Sequence, residues 1–248
     1  VIAYFDCFSG ISGDMTLGAL LDLGMDITEF KNEVNKLHLK GYTIESKQIT
    51  RHNIAATDIS ITLEDSQPHR SYLDIKQIIT DSSLSEKIKK TSIRIFEHLA
   101  KAESKIHNIY FKDVHFHEVG AIDSIIDIVG TVILLKYHKI EKIYSSALPL
   151  GKGFVDCAHG RLPIPAPATV ELIKHIPVYQ TDRYQEMVTP TGAAIISTLA
   201  DGFGDMPHMK INKIGYGSGK IESTYPNLLR IYLGELDIKK ENKKKNGF

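Results

Sequence analysis

The chain has no tryptophan, only two cysteines, no excess of either charge and no long apolar run. Each shortage excludes something. Two cysteines, Cys7 and Cys157, cannot build a disulfide framework, and a reducing, cytoplasmic setting is expected. Lys+Arg 30 against Asp+Glu 30 gives a formal net charge of +0. Broad binding to nucleic acid or to an anionic membrane would leave a basic excess, so neither is expected. No apolar run reaches the roughly 18 residues of a membrane span. Val1-Ile2-Ala3-Tyr4-Phe5 meets Asp6 too soon for a secretory signal. Gly-x-Ser-x-Gly and His-Glu-x-x-His are both missing, which weakens serine-hydrolase and zinc-peptidase readings. What is present, 42% hydrophobic and 24% charged residues, is an ordinary globular composition with enough chain for a sizeable core.

The apolar pattern alternates between strand and helix periods. Strands are expected at Val1–Phe5, over residues 42–63, at Ile143–Leu148 and at Leu228–Leu233. Helices are expected from Asp14 to Leu23, from Tyr72 to Asn108 with a break near Ser82–Ser85, from Ile122 to His138, over Val170–His175 and within Val188–Leu199. Gly215-Tyr216-Gly217-Ser218-Gly219 reads as a glycine loop, and the lysine-rich end, 238–248, as a flexible tail. This order predicts an α/β class, with mixed sheet or sheets and packed helices.

Three constellations carry chemistry. The first, Val114 to Asp127, holds His115, His117, Glu118, Asp123 and Asp127 within fourteen residues that lead into an apolar helix. On an extended segment His115 and His117 share a side, about 6.5–7 Å apart along the strand. Asp123 and Asp127 stand four apart on one helix face among isoleucines, where an unpaired carboxylate is costly. Imidazole with carboxylate suits Zn, Ni, Co, Mn or Fe(II), and these five residues are the predicted metal ligands. The second is Asp6-Cys7-Phe8-Ser9-Gly10-Ile11-Ser12-Gly13-Asp14, a strand-to-helix turn whose backbone N–H groups could cradle an anion. The third is the Gly/Pro-rich stretch Gly151–Thr169, which presents Lys152, His159 and Arg161. Ser9, Gly10, Ser12, Gly13, Lys152, Arg161, Thr189 and Thr191 are the predicted cofactor-binding set.

Four long motifs occur in a fixed order: Asp6–Met15, His115–Ser124, Ala158–Thr169 and Val188–Ala193. Together they resemble the nickel-insertion proteins that complete the nickel-pincer nucleotide cofactor of lactate racemase (the LarC family), from Ile2 to about Gly234. The resemblance implies a nickel insertase, or cyclometallase, of the lyase class. It would place Ni(II) into pyridinium-3,5-bisthiocarboxylic acid mononucleotide in a CTP-dependent reaction, with Mg or Mn accompanying the CTP. The implied nickel–carbon bond requires loss of a ring proton, and by their position in the motifs Asp6, Asp14 and His159 are the candidate proton-accepting, catalytic groups. It implies that residues 1–237 form the N-terminal part of a longer family chain, whose CTP-linked C-terminal domain is absent here. The implied partners are the mononucleotide substrate, that CTP-binding domain or its separate chain, the lactate racemase apoenzyme and a second copy of the chain. The histidine run of many family members is reduced to His69 in Glu64–Arg70. The alternatives are a non-catalytic nickel-binding chaperone or scaffold half of a split enzyme and, behind it, a metal-dependent phosphohydrolase.

Overall fold

The apolar stretch at the start of the chain, stopped by a Gly/Ser turn, forms strand β1 (Ile2–Asp6). The computed structural model describes residues 1–64, 70–116, 121–157 and 160–237. The expectations for His69, His117, Glu118, His159 and the tail 238–248 lie outside the described residues.

After β1 come α1 (Gly13–Asp22), α2 (Ile27–Val34) and a hairpin of β2 (Tyr42–Arg51) and β3 (Ile54–Leu63). Next are β4 (Arg70–Ser71), α3 (Tyr72–Asp81), α4 (Glu86–His107), β5 (His115–Phe116) and α5 (Ile122–Tyr137). Then follow β6 (Lys142–Ser145), β7 (Leu148–Leu150), β8 (Phe154–Cys157), β9 (Gly160–Pro163), α6 (Pro167–Leu172) and β10 (Val178–Gln180). The last elements are α7 (Pro190–Leu199), β11 (Gly202–Phe203), β12 (Met209–Ser218) and β13 (Leu228–Leu236).

Seven strands make one mixed sheet in the order β11-β6-β1-β13-β12-β3-β2. β1 is parallel to β6 and antiparallel to β13, while β12 is antiparallel to β13 and parallel to β3. This is the expected α/β architecture. Alternation sorts the two sheet faces. Ala3, Phe5, Leu229, Ile231 and Leu233 are buried in the main core, whereas Tyr4, Asp6, Arg230 and Tyr232 occupy the alternate positions. The helices stack in layers. α1 lies on β3 and β12, α5 lies on α1, and α4 lies on α5, α6 and α7. α5 is apolar nearly all round, with Ile125, Ile126, Ile128 and Val129 fully buried, as its sequence predicts for a central helix. Each such side chain contributes about 1.5–3 kcal/mol of burial.

Four boundaries differ from expectation. The glycine stretch expected as a loop is the end of β12: a Cβ at Gly215 or Gly217 would overlap the carbonyl of Ala19 or Met15. Those glycines are empty so that the backbone of α1 can approach the strand. The strand expected over Ile143–Leu148 divides into β6 and β7. The Gly/Pro stretch contains an antiparallel hairpin, β8 with β9. The helix after it starts at Pro167 rather than Val170, because proline at the first helical position costs no hydrogen bond.

Candidate functional site

The site is built where the Gly/Ser turn after β1 enters α1. Gly10 has a φ of +101°, open to glycine, and a Cβ there would overlap the carbonyl of Met187. That closeness lets Ile11 donate its N–H to Met187 O at 2.9 Å while Thr189 donates to Ile11 O at 3.1 Å. The first and fourth sequence motifs are therefore knitted into one structure. Their N–H groups are partly used up: Gly10 N donates to Cys7 O at 2.9 Å. Ser12 caps α1 and Thr189 caps α7, each hydroxyl accepting a backbone N–H of its helix's first turn. Thr191 is buried in that first turn of α7. Cys7 is fully buried, and its thiol is pushed up to about 12, chiefly by burial. A neutral thiol at physiological pH is a poor soft ligand.

Asp14 and Asp127 meet at the start of α1, and the charge of Asp123 reaches Asp127. Ser12 Oγ donates to Asp14, whose carboxyl is raised by burial against the opposing influence of Ser12 and Lys220. α5 presses Asp127 against Gly13 so closely that a Cβ on Gly13 would overlap the Asp127 carboxylate. Asp127 is held well above the ordinary carboxylate range, first by burial and then by the charges of Asp14 and Asp123. Its Oδ1 is buried with no hydrogen-bond partner among the described residues. Asp123 accepts from Ser124 N at 2.7 Å one turn earlier. Lys220, just past the end of β12, supplies opposing positive charge while its Nζ contacts Asp58 at 2.7 Å. Two desolvated carboxyls with an orphaned oxygen are stabilised by a proton or by an arriving cation.

Of the rest of the predicted metal set, His115 is not drawn in. His115 is exposed on β5 opposite Ser71, and its charged neighbour is Asp74. His117 and Glu118 lie outside the described residues. Among the described residues no three His, Cys, Asp or Glu side chains converge as a metal site.

The other predicted residues sit in separate settings. Asp6 Oδ2 accepts from Arg230 at 3.0 and 2.6 Å, and Arg230 lies over the rings of Tyr232 and Phe8. Lys152 pairs with Asp182 at 3.0 Å. Arg161 stacks over Phe154 on the β8–β9 hairpin. Ser9 Oγ donates to Pro226 O at 2.6 Å and accepts from Arg183 at 3.0 Å. Sequence reading missed Arg230, Arg183 and Lys220. Only Arg230 left a local signal, as a charge inside the apolar run Leu228–Leu233 that demanded a partner.

Comparison with known proteins supplies the family. No solved structure matches the chain. A protein of Dictyoglomus thermophilum is 54% identical across 94% of this chain and 60% of its own length. One from Citrifermentans bemidjiense is 51% identical, with 94% and 61% covered. A third, from Acetivibrio thermocellus, bears the name pyridinium-3,5-bisthiocarboxylic acid mononucleotide nickel insertion protein; it is 47% identical over 97% of this chain and 62% of its own. The chain thus spans about 60% of the length of the curated relatives it matches. The family model described as nickel insertion protein matches residues 3–247, and the chain belongs to that family.

Proposed function

We propose that this chain takes part in inserting nickel into pyridinium-3,5-bisthiocarboxylic acid mononucleotide, with Ni(II) as a substrate passed to the organic ring. Family membership and the name of the Acetivibrio relative support the reaction. The observation that carries the assignment to this site is the orphaned Asp127 oxygen beside Asp14 and Asp123. Carboxylate ligands suit an ion that must be released again, since they hold Ni(II) less tightly than thiolates do. Asp127, with Asp123 one turn before it, is the proposed receiver of nickel, and His115, exposed on β5, with His117 and Glu118 of the same segment, is proposed to meet the ion first. Forming a nickel–carbon bond breaks a ring C–H bond; the electron pair stays with carbon and the proton needs an acceptor. Asp14 is that acceptor in this reading, because its raised pKa brings it closer to the operating pH. Asp6 and His159 remain the alternatives for the base.

The reaction is read as a CTP-dependent, lyase-class cyclometallation in the cytoplasm, with CTP and its Mg or Mn held by a further domain or separate chain. The product would mature lactate racemase. The second reading is a nickel-binding scaffold that catalyses nothing alone. Nickel titration separates these ideas from error. Wild type is expected to bind Ni(II), and His115→Ala/His117→Ala and Asp127→Asn are each expected to bind about tenfold or more weakly. Unchanged affinity and stoichiometry in both variants would remove this site from the metal's path. Insertion by the chain alone, against insertion only when the remaining segment of a relative is added, decides between enzyme and scaffold.

A further inference from the structure

A cavity of about 460 Å³ opens beside the first motif, apart from Asp14, Asp123 and Asp127. Its lining includes Phe8, Tyr179, Asp182, Arg183, Tyr184 and Tyr225. The volume falls in the range of small-molecule sites, about 300–1,000 Å³. Two features are unusual together. Tyr179, Tyr184 and Tyr225 are 47%, 78% and 53% exposed, so three aromatic rings face water around one hollow. Arg183 has no ion pair among the described residues, although it is held in place from three directions. Its Nη1 donates to the buried Ser9 Oγ at 3.0 Å, its guanidinium lies 4.4 Å from the centre of the Tyr225 ring, and its backbone N–H donates to Thr181 Oγ1 at 3.2 Å. Ser9 is itself fixed by donating to Pro226 O at 2.6 Å. The nearby Lys152 is already neutralised by Asp182. A pre-positioned guanidinium with donors to spare selects a phosphate or carboxylate-like anion. Exposed rings beside it select a planar group to stack upon.

We propose that this cavity is a binding subsite for a pyridinium mononucleotide, with Arg183 holding an anionic group of the ligand and the tyrosines stacking on its ring. The assignment rests on the proposed function, because the substrate of that reaction combines a planar ring, thiocarboxylates and a phosphate. It assigns Ser9 a positioning role: its hydroxyl orients Arg183 rather than touching the ligand.

The test uses nicotinic acid mononucleotide as a stable probe, followed by saturation-transfer NMR and equilibrium dialysis on the 248-residue chain. Wild type is expected to bind it. Arg183→Gln and Tyr184→Ala are each expected to weaken binding by about tenfold or more, Arg183→Lys less so, and the remote Lys105→Gln not at all. Tyr184 is so exposed that its truncation leaves the fold intact, which keeps the test readable if Arg183→Gln is unstable. Ribose 5-phosphate, lacking the ring, is expected to bind more weakly than the probe. No binding by wild type, or equal binding by wild type, Arg183→Gln and Tyr184→Ala, would overturn the subsite. Tighter binding of CTP with the same variant pattern would overturn it in favour of a CTP site. Ni(II) binding is measured on the same preparations. Intact nickel binding with no mononucleotide effect sinks the subsite alone, whereas lost nickel binding in wild type sinks the functional reading beneath it.

Discussion

Asp127 is the residue on which the site's energetics turn. Its carboxyl is buried against Gly13, faces the charges of Asp14 and Asp123, and has one oxygen without a partner. The folded state therefore holds its proton more tightly than the unfolded state, in which the pKa is near the ordinary aspartate value of 3.8. Below that value both states are protonated and the chain is unpenalised. As pH rises from there through the raised native pKa, the unfolded state releases its proton first and stability falls. Asp127→Asn, which stays neutral, is expected to match wild type near the acid end. At neutral pH it is expected to be the more stable of the two, because the wild-type carboxyl must there either keep its proton against the solution or bury a charge. Urea unfolding at a series of pH values checks this. A wild-type–variant difference that does not change with pH would refute the buried-carboxylate account. Excess Ni(II) is expected to stabilise wild type at neutral pH more than it stabilises the variant, which binds the ion about tenfold or more weakly.

At the scale of elements, α1 is placed by what β12 leaves out. Gly215 and Gly217 meet the helix through its backbone carbonyls, and Met15 O stands where a Gly217 Cβ would go. Gly217→Ala is expected to cost roughly 3 kcal/mol or more, since neither the helix backbone nor a central strand can yield cheaply. Because α1 carries Ser12 and Asp14, the same change is expected to weaken nickel binding. Gly202→Ala serves as the comparison: its Cβ would meet only the Tyr144 ring at 3.4 Å, an ordinary contact. Thermal melts of both variants are the measurement, and a Gly217→Ala protein as stable as Gly202→Ala would show that the helix is not seated on the glycines. The same contact explains why part of the fold was legible in the sequence and part was not. The period of α5, the break between α3 and α4 and the alternation of β2 and β3 are local and can be read directly. Glycines emptied for a helix that lies about two hundred residues earlier look like a loop. In the site, Asp123 and Asp127 are visible as a helical i,i+4 pair. Lys220 and Arg183 are not, because their partners Asp58 and Ser9 are joined to them only by the fold.

At the scale of the molecule, the chain closes its sheet last. β13 sits between β1 and β12, so the middle of the sheet is missing until residues 228–236 are added. Both walls of the candidate site depend on that closure. Asp14 follows β1, Lys220 follows β12, and β13 is the strand that joins the two. The register Asp6↔Arg230 ties the first motif to it by an ion pair as well as by the ladder. Leu228, Leu229, Ile231 and Leu233 are all buried there. At about 1.5–3 kcal/mol each their burial is comparable with the whole stability of a typical domain, roughly 5–15 kcal/mol. A chain ending at Asn227 is therefore expected to show no cooperative melt and no nickel site. Ile231→Ala, which leaves the ladder in place, is expected to fold with a loss of about 2–5 kcal/mol. Circular dichroism melts decide the matter. A cooperative transition in the truncated chain would mean that β1 and β12 hold their places without the strand between them, and that the carboxylate site is assembled by the helices alone.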